Sequence, residues 1–229
     1  MIKRTLLCLA TLPLFVACTY PVEKAEQAVA AELEVYGDDY RLIDTRQYDN
    51  GTVCGSYQSF GKWGESGPKR RYIYRDGRAQ LAASEDDVAV FCTENPVAAM
   101  EQRFGIVMGP ESHQAISKII GDFERLSEAL EQYYQQHGGY PTTAEGLAAL
   151  SKAPGSGPKF SNYPEGGYLK EVPLDPWHKP YGYAGAQWSG VKSQYKLWTE
   201  GADHAAGGTG EAADIGIEQL PYLEYLIGR

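Results

Sequence analysis

The sequence predicts an α+β protein of two small modules, each opening on a helix and continuing into antiparallel strands. Three observations carry this. Ile116, Ile119, Ile120, Phe123, Leu126, Leu130 and Tyr133 trace one apolar stripe at helical spacing, with charged residues opposite. Asp49-Asn50-Gly51 and Asp76-Gly77 are hairpin turns, each set between segments of alternating polarity. A length of 229 residues suits two small domains better than one, and no internal repeat divides it otherwise.

The first module, residues 19–95, opens with a helix over Val22–Tyr36, where Val22, Ala25, Val29, Leu33 and Tyr36 recur on one face. An antiparallel meander comes after it. Tyr40–Asp44 and Thr52–Tyr57 flank the first turn, and Arg71–Arg75 and Arg78–Leu81 flank the second. Between Ser59 and Lys69, glycines and Pro68 mark an exposed loop with Trp63 at its tip. That tryptophan is either a contact residue or an anchor folded back on the sheet. Pro96, Gly105, Gly109 and Pro110 punctuate residues 96–110, which read as a linker to the second domain, 111–229.

The second domain starts with the striped helix, which His137-Gly138-Gly139 ends because glycine tolerates a left-handed C-cap. Thr142 or Thr143 caps a short helix whose apolar face runs from Gly146 to Leu150. After a Pro/Gly-rich loop over Lys152–Pro164, Tyr181–Ala184 and Tyr195–Thr199 read as two strands of a small antiparallel sheet.

The start of the chain reads as an export signal. Lys3 and Arg4 precede an apolar stretch, Thr5–Ala17, shorter than the about 20 residues a membrane span needs. Leu14-Phe15-Val16-Ala17-Cys18 resembles a lipobox, which makes Cys18 the expected lipidation site and residues 1–18 a lipoprotein signal peptide. Thr19 is not the aspartate that often retains lipoproteins at the inner membrane, so the expected location is periplasmic, lipid-anchored to the outer membrane. The net charge of −9 argues against nucleic acid as a partner. Cys8 would leave with the signal and Cys18 would carry lipid, leaving Cys54 and Cys92. In an oxidising compartment a disulfide between them is the expected state, two reduced buried thiols being the alternative.

Gly138-Gly139-Tyr140-Pro141-Thr142-Thr143, Gly146-Leu147, Leu150, Tyr168-Leu169, Asp175-Pro176-Trp177, Gly201-Ala202-Asp203 and Ala213-Asp214-Ile215 occur in an informative order. At these spacings they resemble the periplasmic domain of the major pseudopilin of bacterial type II secretion, over roughly Glu111–Leu220. The resemblance implies a long helix, a short helix, a small antiparallel sheet and a calcium loop. It implies that Asp175-Pro176-Trp177-His178 is a structural turn. It also implies that the striped helix corresponds to the soluble half of a longer helix, whose apolar half packs the secretion filament. The pseudopilin processing motif is absent: Phe104–Met108 runs directly into Gly109-Pro110-Glu111.

By itself, the acidic, Gly-rich stretch Glu200–Asp214 is most simply a solvated loop. The resemblance makes it a structural calcium site, with Asp203 and Asp214 as side-chain ligands and backbone carbonyls completing the shell. Ala212 departs from the family pattern, where an aspartate or asparagine is common; either Glu211 compensates or the site is weakened. No catalytic arrangement competes. His113, His137, His178 and His204 stand at unrelated places, and no nucleophile elbow, P-loop or dinucleotide fingerprint occurs. The expected function is non-enzymatic: a lipid-anchored periplasmic protein with type II secretion components as partners. The alternative is an envelope binding module that uses the second domain as a scaffold.

Overall fold

In the computed structural model the described residues are 21–34, 39–61, 63–110, 112–155, 160–185 and 195–228. The signal region, with Cys18, lies outside them. So do parts of the Lys152–Pro164 loop and of the connection between the last two expected strands. The chain divides into two compact units, the first ending at Ser84 and the second beginning at Glu85.

The first unit is a helix on one face of a four-stranded sheet. Helix α1 (Pro21–Glu34) buries Ala25, Val29 and Leu33, a spacing that keeps them on one side. Strands β1 (Asp39–Gln47), β2 (Val53–Phe60), β3 (Arg70–Arg75) and β4 (Arg78–Leu81) pair in chain order, all antiparallel. At the first turn Asn50 Oδ1 accepts from the Thr52 amide at 2.9 Å, and Gly51 takes φ +83°. Asp76 and Gly77 both have positive φ, the backbone a two-residue hairpin requires. Val29 and Leu33 pack on Tyr57 and Tyr72, flanked by Tyr40, Leu42, Ala79 and Leu81. Gly55 lies opposite Tyr72, and a Cβ there would fall 2.6 Å from the tyrosine ring, so only glycine lets this buried ring cross β2. Trp63 is 93 % exposed, which rules out an anchor folded back on the sheet.

The second unit includes more chain than the sequence suggests. The stretch 96–110, expected to be a linker, contains helix α3 (Pro96–Phe104), preceded by α2 (Glu85–Phe91). Asn95 Oδ1 accepts from the Ala98 amide at 3.1 Å, Pro96 occupies the first turn, and Gly105 closes the helix in the left-handed region. The residues that resemble linker punctuation are therefore start and stop signals of one short helix. Its packing partner is the C-terminal helix α5 (Leu220–Ile227), for which the sequence pattern gives no expectation. The Phe104 and Tyr222 rings stack at 5.6 Å, Phe91 lies against Tyr222 and Tyr225, and the Tyr222 hydroxyl donates to Asp87 Oδ1 at 3.0 Å.

Helix α4 (Ser112–His137) buries the whole expected stripe, and Gly138 (φ +71°) ends it. Thr142 and Glu145 form a reciprocal cap: the Glu145 amide donates to Thr142 Oγ1 at 3.1 Å, and the Thr142 amide to Glu145 Oε2 at 2.7 Å. The segment after the cap, Leu147–Leu150, is a 3-10 turn rather than an α-helix, because Gly146 at φ +59° breaks the helical path before it. Strands β5 (Gly182–Ala184), β6 (Lys196–Thr199) and β7 (Ile215–Gly216) form an antiparallel sheet in that order. Buried Asp122 on α4 ties helix to sheet, accepting from the Tyr181 hydroxyl at 2.8 Å and from Lys118 and Arg125. Burial, then the bond to Asp122, raises the Tyr181 pKa well above the usual phenol value.

Candidate metal centre

The loop that carries the predicted ligands leaves β6 at Thr199 and returns at β7, and its base is rigid. Asp175, 1 % exposed, organises that base. One carboxylate oxygen accepts from the Trp177 and Lys179 amides at 3.0 and 2.8 Å; the other accepts from the Thr199 hydroxyl at 2.7 Å. Thr199 in turn accepts from the Gly201 amide at 3.3 Å. The Asp175-Pro176-Trp177-His178 turn is thus a structural support for the loop.

Glycines then let the loop fold on itself. Gly201 has φ +65°, and a Cβ there would lie 2.7 Å from the Glu211 carbonyl oxygen; that carbonyl accepts from the Ala202 amide at 2.8 Å. At Gly208 (φ +89°) a Cβ would fall 2.3 Å from the Ala212 carbonyl oxygen. The far side of the loop is held by α3. Gly210 donates its amide to the Gly105 carbonyl at 2.8 Å, and a Cβ on Gly105 would meet the Gly208 carbonyl at 2.9 Å. Nothing in the local sequence pattern marks Gly105 as a loop contact; only its signature as a helix stop is legible.

Of the three expected ligands, Asp214 faces inward and Asp203 and Glu211 are exposed. Asp214 Oδ2 accepts from the Gly207 amide at 2.9 Å, while its Oδ1 is buried and has no hydrogen-bond partner. Asp203 Oδ1 accepts from the Ala205 amide at 3.1 Å. Among the described residues no three acidic, histidine or cysteine side chains converge as a metal cage. An ion here would therefore draw on carbonyls more than on carboxylates, which suits a hard cation with six to eight oxygen ligands. The donor set fits at one point above all: a buried, unpartnered carboxylate oxygen is costly, and a cation would satisfy it. A groove of about 930 Å³ opens beside the loop, with Asp214, Glu218, Glu131, Tyr140, Tyr195 and Trp198 on its walls.

Elsewhere, Cys54 and Cys92 are both disulfide-bonded. In the second unit Tyr133, Tyr163 and Tyr168 surround the His137 ring, while Tyr140 and Tyr195 pack on each other at the groove. No helix among the described residues is long and apolar enough to cross a membrane.

Residues 107–218 match the family model described as type II secretion system (T2SS), protein G. The chain is 37 % identical over 110 residues to the type II secretion system core protein G of Pseudomonas aeruginosa, covering 48 % of this chain and 75 % of that one. The core protein G of Vibrio cholerae is 39 % identical over 110 residues, covering 48 % and 73 % respectively. A solved major pseudopilin of the type 2 secretion system of enterohaemorrhagic Escherichia coli aligns at 31 % identity and a TM-score of 0.39, over 48 % of this chain and 91 % of its own. On this similarity the chain belongs to the type II secretion system protein G family.

Proposed function

We propose that this protein is a non-enzymatic, lipid-anchored periplasmic component associated with type II secretion, with a calcium-binding pseudopilin-like domain and other secretion proteins as its partners. The observation that carries this reading is where α4 begins. Similarity to core protein G starts at residue 107, yet α4 starts at Ser112 after Gly109-Pro110, and the residues before it fold into α2 and α3. A filament subunit needs an apolar helix continuous with α4. Here Gly109-Pro110 and the short helices α2 and α3 stand in place of such a helix, so lateral or accessory contact with the secretion filament is the role assigned. Cys18 lipidation would supply the tether.

The metal, if bound, would be calcium. Asp214 would hold it through Oδ1 and Asp203 would add a second carboxylate, with Glu211 beside the departure at Ala212. A structural cation of this kind supplies charge neutralisation and cross-linking of loop oxygens, and no reaction. Asp175, Thr199 and Gly105 already hold both sides of the loop.

Affinity recovery of the full-length protein from gently crosslinked envelopes, read by mass spectrometry, tests the reading. Enrichment of core protein G or of the secretion pore supports it. Recovery of unrelated envelope proteins alone would sink it and favour a borrowed scaffold.

A further inference from the structure

The sheet of the first unit is cationic in an anionic chain. Between Asp39 and Leu81 stand eight arginines and lysines against five carboxylates, while the whole protein carries −9. These cations are not spread evenly. A cleft of about 450 Å³ is lined by Arg46, Lys69, Arg70 and Arg71, with Ser56 on its wall and Asp44 as its single carboxylate. A break in register between Ile43 and Arg46, with Asp44 at φ +55°, bends β1 at this point and re-aims its side chains. The Arg46 guanidinium lies 4.6 Å over the Tyr48 ring, and Lys69 pairs with Asp44 at 2.8 Å. That pair is exposed and weak, so it competes poorly with a better anion.

Trp63 belongs to the same hairpin. It stands on the β2–β3 connection, and Arg70, opposite Tyr57, opens β3. The connection is not slack. Phe60 bridges Ser66, the Gly67 amide donates to the Ser59 carbonyl at 2.8 Å, and the Gly61 amide donates to the Glu65 carbonyl at 2.9 Å. The Gly64 amide donates to the Gly61 carbonyl at 2.9 Å, and the Trp63 amide to Glu65 Oε2 at 3.1 Å. The backbone therefore holds the indole out in water, at 93 % exposure, with its hydrogen bonds already made. One exposed tryptophan on the hairpin that also carries several cations has the chemistry of a lipid–water interface, where indole sits at headgroup level and cations meet phosphates. A protein hot spot would instead seat the ring in an apolar surround, and the neighbours here are glycines and charges.

We propose that the first unit docks on an anionic phospholipid surface, with headgroup phosphates in the Arg46–Lys69–Arg70–Arg71 cleft and Trp63 inserted beside them. This requires neither lipid on Cys18 nor calcium in the second unit, so it stands or falls separately from the function proposed above.

The test is sedimentation of the full-length protein carrying Cys18→Ser with two kinds of vesicle, phosphatidylcholine alone and phosphatidylcholine mixed with phosphatidylglycerol. Lys3→Gln with Arg4→Gln is carried in the same background, so that the segment before Thr5–Ala17 adds no preference for anionic vesicles of its own. Binding should favour the anionic vesicles at least tenfold and weaken with salt. Arg70→Gln with Arg71→Gln should reduce it by about twenty-fivefold, about fivefold per charge. Arg70→Lys with Arg71→Lys should largely retain it, and Trp63→Ala should weaken it while leaving thermal stability unchanged. Equal affinity for both vesicles, or an unchanged double glutamine variant that remains folded, would overturn the proposal. So would saturable binding of inorganic phosphate in the cleft without any preference for anionic vesicles, since the ligand would then be a soluble anion.

Discussion

Asp175 illustrates how much a single side chain can hold when it is buried and fully used. Its two oxygens receive the Trp177 amide, the Lys179 amide and the Thr199 hydroxyl, joining the turn before β5 to the end of β6. Removing the carboxylate leaves the buried Thr199 hydroxyl and two part-buried amides without their acceptor, at about 1–3 kcal/mol for a buried donor and less where water can reach. Asp175→Ala should therefore destabilise the second unit by about 3 kcal/mol or more, read as a lower midpoint in urea unfolding. Asp175→Asn, which keeps one acceptor, should lose less. The sequence pattern marks Asp175 as part of a turn, yet its bond to Thr199 spans 24 residues and has no local signature.

At the scale of elements, the informative unit is the junction of α3 with the loop between β6 and β7. Gly105 is both the left-handed cap of α3 and the acceptor for the Gly210 amide. Gly105→Ala combines an unfavourable φ with a Cβ 2.9 Å from the Gly208 carbonyl, so the loop or the helix end must move. A loss of about 1–3 kcal/mol is expected, measurable by thermal unfolding, and Ala substitution at Gly109 should cost less because its Cβ meets open space. The same loop carries the calcium prediction. Calcium at about a hundredfold above its Kd should add about 2.7 kcal/mol, a rise in Tm on the order of 5–10 °C. Asp214→Asn and Asp203→Ala should each reduce that rise. No rise in the parent protein would remove calcium from the function proposed here.

The whole molecule is tyrosine-rich, with 17 in the chain, and its alkaline behaviour depends on where they sit. Burial is the leading cause that raises the phenols of Tyr72, Tyr133, Tyr140, Tyr163, Tyr168, Tyr181 and Tyr183 above their ordinary value. Tyr133 is pushed up to about 12 from 10.0, by burial first and then by the charge of Glu145. A phenol whose folded pKa is raised holds its proton more tightly in the fold. The stabilisation is complete below the unfolded value and is lost as pH rises through the folded one. Stability should therefore be level approaching pH 10.0 and fall steeply toward about 12, tracked by tyrosinate absorbance and circular dichroism. Tyr133→Phe should shallow that fall. Its hydroxyl is buried without a hydrogen-bond partner, so the substitution should be neutral or slightly stabilising at pH 7.

Patterns with a period or a local turn chemistry were legible in the residues alone. The α4 stripe, the two hairpins of the first unit, the Thr142 cap and the strands around Tyr183 and Leu197 arise from side-chain spacing and from glycine, asparagine and aspartate at turns. The family resemblance was equally local, since it rests on short motifs in order. What the tertiary structure decided was which punctuation ends a domain and which ends a helix. Pro96 and Gly105 have the same composition as a linker, and only the packing of Phe91 and Phe104 on Tyr222 makes them part of the second unit. It also decided which carboxylates of the acidic loop turn inward. Turning Asp214 Oδ1 inward while leaving Asp203 and Glu211 in water goes with close backbone approaches at Gly201 and Gly208 within the loop and at Gly105, about a hundred residues earlier, and no sequence window contains that last contact.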